Sequence, residues 1–427
     1  MSEMSYPLLG ETVCRETLPN GLKVAVVPRR GFTRKLAYFV TDFGSVHNRF
    51  VLDGKTVATI PGIAHFLEHK LFELPGERDV SGEFAAMGAS VNAFTSFDMT
   101  AYYFTCTEHF SDCLRLLLEF VSTPYFPEES VLREQGIIDQ EIDMNEDDPD
   151  SVVFQNLVAS MYRDHPVRIP ILGASEDIHE ITSQDLYTCH RAFYTPENMM
   201  LCVVGDVELE EVCAIAREVL PEQRIPAATK LPFDEEPPRS MADRVSRPMQ
   251  IDTTTFLLGF KCDPLGRGEE AVRQELMADL AADALFGESS PLYQELYSQG
   301  LIDSSFGGGF ESVDGCAMLT CGGDSRDPEA VRQRMLRAVR TLPELTEEDF
   351  LRLKRSAMGR RIKALDSFDA TCFRLCAYAA IDFDYFRFPE LYQKMERQEL
   401  TDFLKTMIRP ERSVLSVAVP RRKEHDN

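Results

Sequence analysis

Residues His65-Phe66-Leu67-Glu68-His69 place two imidazoles and a carboxylate within five positions. On a helix, positions i, i+3 and i+4 share one face, so His65, Glu68 and His69 project together. Two neutral imidazoles at that spacing can grip one zinc ion, and the carboxylate beside them can take a proton from a water on that ion. With 8 histidines in 427 residues, the pattern arises by chance in roughly one such chain per hundred. The plain alternative is the polar side of a surface helix. The apolar neighbours Ile63, Phe66, Leu67, Leu71 and Phe72 argue instead for a helix packed on at least one side, where polar groups need partners. A catalytic zinc takes three protein ligands and keeps one position open. A helix expected from about residue 128 to 145 offers Glu134 and Glu141, seven apart on one face. Glu141 could complete a His2Glu set, and Glu134 could hold the water or a ligand histidine in place. The same region carries Glu128, Glu129, Asp139, Asp143, Glu146 and Asp147, and spacing leaves the choice among these carboxylates open.

The elements that must position these groups alternate between strand and helix patterns. Asn20-Gly21 between two β-rich runs predicts a hairpin. Strand patterns follow at 36–42, 89–94 and 100–107, and helical patterns at 63–72, 80–87, 109–121 and 150–163. Residues 221–248 hold Pro221, Pro226, Pro232, Pro237 and Pro238 with little periodicity, which predicts a linker. It divides an N-terminal domain, 1–220, from a C-terminal domain, 249–427. The segment Pro196-Glu197-Asn198-Met199-Met200-Leu201 resembles Pro410-Glu411-Arg412-Ser413-Val414-Leu415 near the end of the other half. Internal duplication accounts for the match. The expected fold class is α+β: two similar sandwich domains, each a largely antiparallel sheet covered by helices.

Composition bounds the partners. A net charge of −25 argues against nucleic acid and anionic membrane surfaces. No apolar run approaches the length of a membrane span. The 11 cysteines are odd in number and form no C-x-x-C pair. With no leader-like N-terminus, the expectation is a reduced, cytoplasmic protein.

The motifs His65 to Phe72, Gly88 to Thr95, Thr100 to Phe104 and Glu134 to Met144 together resemble the pitrilysin/insulinase family of zinc peptidases. Its H-x-x-E-H order is the inverse of the commoner H-E-x-x-H. The resemblance implies zinc held by His65, His69 and Glu141, Glu68 as general base, and Glu134 in support. It implies that Asn92, Ala93 and Phe94 belong to an edge strand that binds peptide substrate by strand addition. It also implies a chamber closed by two such halves, so the chain would pair as a homodimer or as a heterodimer with a homologous subunit lacking the zinc motif. One departure stands out. Active relatives carry an arginine and a tyrosine, seven apart, after a Ser-Pro-Leu-like segment. Here Ser290-Pro291-Leu292 is followed by Tyr297 and Asp303 near those positions. The expected function is a zinc-dependent endopeptidase; the alternative is a non-catalytic or weakly catalytic peptide-binding subunit of a paired complex.

Overall fold

Seven strands form one sheet and five form another, and both sheets are built on the same plan. The computed structural model describes residues 2–76, 78–341 and 345–421. The first sheet comprises β1 (Ser2–Tyr6), β2 (Glu11–Thr17), β3 (Lys23–Pro28), β4 (Lys35–Thr41), β5 (Ser90–Thr95), β6 (Thr100–Cys106) and β7 (Met199–Gly205), in the order β1-β2-β3-β7-β4-β6-β5. The second comprises β8 (Arg244–Met249), β9 (Thr255–Cys262), β10 (Gly307–Val313), β11 (Cys316–Asp324) and β12 (Ser413–Pro420), in the order β8-β12-β9-β11-β10. In each, one parallel pair (β3 with β7, β8 with β12) is followed by antiparallel pairs. β7 and β12 are the two segments whose sequences match, and each follows a 3-10 turn, at Pro196–Asn198 and Pro410–Arg412. The duplication read from that short match therefore extends to strand order and direction.

The chain divides into two compact units that are not consecutive in sequence. One comprises residues 1–140, 170–232 and 361–389, and the other 141–169, 233–360 and 390–427. Two of the boundaries fall inside long helices, that after residue 140 in α2 (Glu128–Asp147) and that after residue 360 in α4 (Glu347–Ala364). The helix after each is the one that changes unit. α3 (Pro149–Met161) packs on β8, β9 and β12, and α5 (Phe368–Ala380) packs on β4 and β7. Both sheets are thereby covered on two faces, which is why β4 and β9 are apolar and buried almost throughout. The proline-rich stretch is partly ordered as strand. Thr229–Lys230 pairs with Phe50 and Val51, and β8 includes Arg244 to Pro248, with the proline on an edge strand where no ladder donor is needed.

In the second unit, α3 approaches β9 so closely that a Cβ on Gly259 would lie 2.7 Å from Met161 Cε and 2.8 Å from Leu157 Cδ2. Below that contact, Glu236 accepts from the main-chain N–H groups of Arg163 (3.1 Å), Asp164 (2.6 Å) and His165 (2.6 Å) and from Lys261 Nζ (2.9 Å). Burial pushes the Glu236 carboxyl up, but these donors outweigh it and hold the pKa at about 2. A carboxyl depressed on folding stabilises the fold above its unfolded pKa and loses that contribution as pH falls toward its folded one. Glu236→Gln should cost about 3 kcal/mol at pH 7, since it also leaves buried Lys261 without its counter-charge. The penalty should shrink below pH ~4.5. Urea titrations of both proteins at pH 7 and pH 4 check this.

No helix among the described residues is long and apolar enough to cross a membrane. All 11 cysteines are free, and all but Cys14 are buried, so they pack as small apolar groups.

Candidate metal centre and active site

The motif folds as the helix α1 (Ile63–Lys70), two residues shorter than the pattern suggested because Leu71 and Phe72 turn toward the short strand Glu73–Leu74. Its start depends on Gly62, which adopts φ +85°; a Cβ there would come within 2.4 Å of Leu172 O. A side chain at that position would meet both strain and a clash with backbone. Apolar Phe66 and Leu67 are fully buried, and His65 (6% exposed) and Glu68 (8% exposed) are nearly so. A surface helix with a polar side is thus excluded.

His65, His69 and Glu141 each offer a ligand atom, and these atoms lie within 4.8 Å of one another. Among the described residues no other group of three histidine, cysteine or acidic side chains is arranged this way. Glu141 lies one residue past the unit boundary, but α2 is a continuous helix across it. The donor set suits zinc: two imidazole nitrogens and one carboxylate oxygen, near enough for small side-chain rotations to bring each to a bond of ~2.0–2.2 Å. Burial sorts the remaining acids of α2. Glu128, Glu129, Asp143, Glu146 and Asp147 are exposed, and Asp139 is committed to Ser175 Oγ (2.7 Å) and His179 Nε2 (2.8 Å).

Glu134 Oε1 meets His69 Nδ1 at 3.0 Å. A carboxylate on Nδ1 fixes the ring's orientation and leaves Nε2 as the nitrogen that would be available to a metal. Glu134 Oε2 in turn lies 3.9 Å from Lys70 Nζ. Lys70 is 1% exposed and also donates to Glu73 (2.6 Å) and Ser130 Oγ, which itself bonds Glu73. This cluster pins the end of α1 to the start of α2. Sequence reasoning missed Lys70; the signal available was a charged residue next to a packed motif, which must pair if it is buried. Glu134→Gln should weaken zinc binding by roughly 10–100-fold while leaving the helices intact. Competition with a metallochromic chelator measures it, with circular dichroism as the fold control.

Asn92, Ala93 and Phe94 lie on β5, the terminal strand of the first sheet. Ser96 N donates to Met99 O at 2.8 Å across the hairpin to β6. Alternation along an antiparallel pair then turns the main-chain groups of Phe94 and Asn92 toward β6 and those of Val91, Ala93 and Thr95 away from it. The resemblance pointed to all three of 92–94; the register singles out Ala93 as the one whose backbone faces the edge. The Ala93 N–H is bonded to Asn92 Oδ1 at 2.9 Å, a contact that an added strand would displace. Thr95 Oγ1 donates to Glu68 Oε2 at 2.7 Å, and this contact was not foreseen. Tyr297 is 53% exposed on the helix Pro291–Ser298, and Asp303 is engaged locally by Ser305 N and Oγ.

A duplicated α+β architecture with one inverted His-Glu-His helix and a third carboxylate from a following helix defines a class of metallopeptidase-like proteins. The chain belongs to the insulinase family, peptidase family M16. Residues 57–175 match the insulinase (peptidase family M16) model, and residues 180–357 match the peptidase M16 inactive domain. The chain is 35% identical over 424 residues to an uncharacterized zinc protease, YmfH, of Bacillus subtilis, covering 98% of this chain and 99% of that one. It superposes on a putative M16-like peptidase from Alicyclobacillus acidocaldarius with a TM-score of 0.91 at 33% identity, over 96% of this chain and 98% of the other. A protease from Helicobacter pylori shares the fold, with a TM-score of 0.81 at 21% identity over 96% and 99% of the two chains.

Proposed function

We propose that this chain is a zinc-dependent endopeptidase that cleaves peptides bound in extended form. The observation that carries the reading is the convergence of His65, His69 and Glu141 beside Glu68, with Glu68 bonded to the edge strand. When bound, zinc supplies Lewis acidity toward a water and the peptide carbonyl. Glu68 takes the proton of the attacking water and returns it to the leaving amine. Glu134 and Lys70 keep the His69 ring oriented. The main-chain groups of Ala93 and Thr95 pair with the peptide, so recognition rests on backbone rather than on side-chain identity. The test is zinc content together with cleavage of a quenched, unstructured peptide library, with and without chelator. Chelator-sensitive cleavage with one zinc per chain is expected; absence of either would sink the reading.

A second reading is favoured by the segment after Ser290-Pro291-Leu292, where Tyr297 and Asp303, six apart, fall near the positions at which the family resemblance leads one to expect an arginine and a tyrosine seven apart. In it the chain binds peptide but cleaves weakly until a partner is present, either a second copy or a homologous subunit without the motif. Cleavage that appears only on adding such a partner would favour it.

A further inference from the structure

The proposed chemistry gives no role to the hydroxyl of Thr95. Thr95 ends the edge strand, and its Oγ1 donates to Glu68 Oε2 at 2.7 Å. The donor is well defined. The nearby Thr100 Oγ1 stands 3.5 Å from Thr95 Oγ1 and gives its own proton to Phe43 O at 2.9 Å, so Thr95 keeps its proton for the carboxylate. Thr100 is fully buried, and Thr95 faces it across the β5–β6 pair. Threonine is β-branched and its χ1 is restricted, so the strand fixes where the hydroxyl points. Holding one carboxylate oxygen fixes the rotation of Glu68 about its last bond. The same residue turns its main-chain N–H and C=O toward the edge where a peptide would add.

We propose that Thr95 is a positioning residue that aims Glu68 and ties it to the register of the bound peptide. One residue thereby sets both where the peptide backbone lies and which way the proton acceptor faces. This inference rests on the peptidase reading above.

The test uses Thr95→Val, which keeps the branched shape and removes the hydroxyl, and Thr95→Ser, which restores it. Thr95→Val should lower kcat by roughly 10–100-fold, with KM and zinc content unchanged within about twofold. Thr95→Ser should recover activity to within about threefold of the parent. A second readout needs no metal. In the zinc-free chain, the shifts in unfolding midpoint caused by Thr95→Val and Glu68→Ala should be less than additive when combined, because both remove the same hydrogen bond. Full activity in Thr95→Val, equal losses in the Val and Ser variants, or additive midpoint shifts would each overturn the proposal. If the parent chain shows no chelator-sensitive cleavage, the peptidase reading fails, and the midpoint cycle still decides whether Thr95 and Glu68 are coupled.

Discussion

Glu68→Gln is expected to retain zinc and lose peptide hydrolysis. Glutamine has nearly the same shape and can still accept the proton of Thr95 through its carbonyl oxygen, so α1 and β5 should stay in place. It cannot take a proton from water at neutral pH. General-base catalysis contributes typically ~10²–10⁴-fold, and a loss of that order in kcat, with metal content near one per chain, is the predicted result. Parallel metal analysis and cleavage of a quenched peptide check both halves. Cleavage at the parental rate would remove Glu68 from the mechanism. Loss of zinc along with activity would instead make it part of the metal's support.

The second large effect is expected at Glu141. Glu141→Ala removes one of three converging donors and leaves two imidazoles, too few for a catalytic site that keeps an open position. The fall in zinc affinity should exceed the roughly 10–100-fold expected for an outer partner such as Glu134. Hydrolysis should vanish at any zinc concentration that leaves the parent saturated. Asp143→Ala provides the control, since Asp143 is exposed on the same helix. If Glu141→Ala bound zinc as the parent does, the assignment of the third ligand would be wrong.

The converging donors of this candidate site were legible because they obey helical arithmetic. His65, Glu68 and His69 share a face by spacing alone, and so do Glu134 and Glu141. What spacing left open, burial narrows: the competing acids of α2 are exposed or bonded elsewhere, and a sequence does not report exposure. The contacts made through space were not legible. Thr95 meets Glu68 across 27 positions and Lys70 meets Ser130 across 60, and no local pattern announces either. The architecture shows the same division. Hairpins, helices and the duplicated strand were visible in periodicity and in turn residues. The exchange of α3 and α5 between the units was not, because each helix has an ordinary apolar pattern that fits whichever sheet lies nearest. The hint that could have been used was the unbroken apolar run of β4, which signals a strand covered on both faces.

That exchange limits how the two halves can be handled as pieces. A break anywhere in 221–248 would send α3 off with the first fragment and α5 with the second. Each fragment would then carry a sheet lacking its lid and a spare greasy helix that belongs on the other. Although the chain reads as one plan written twice, neither copy is a self-sufficient part, and shuffling or expressing the halves singly would yield sticky, half-covered proteins. The duplicated segments therefore depend on one another for a complete fold.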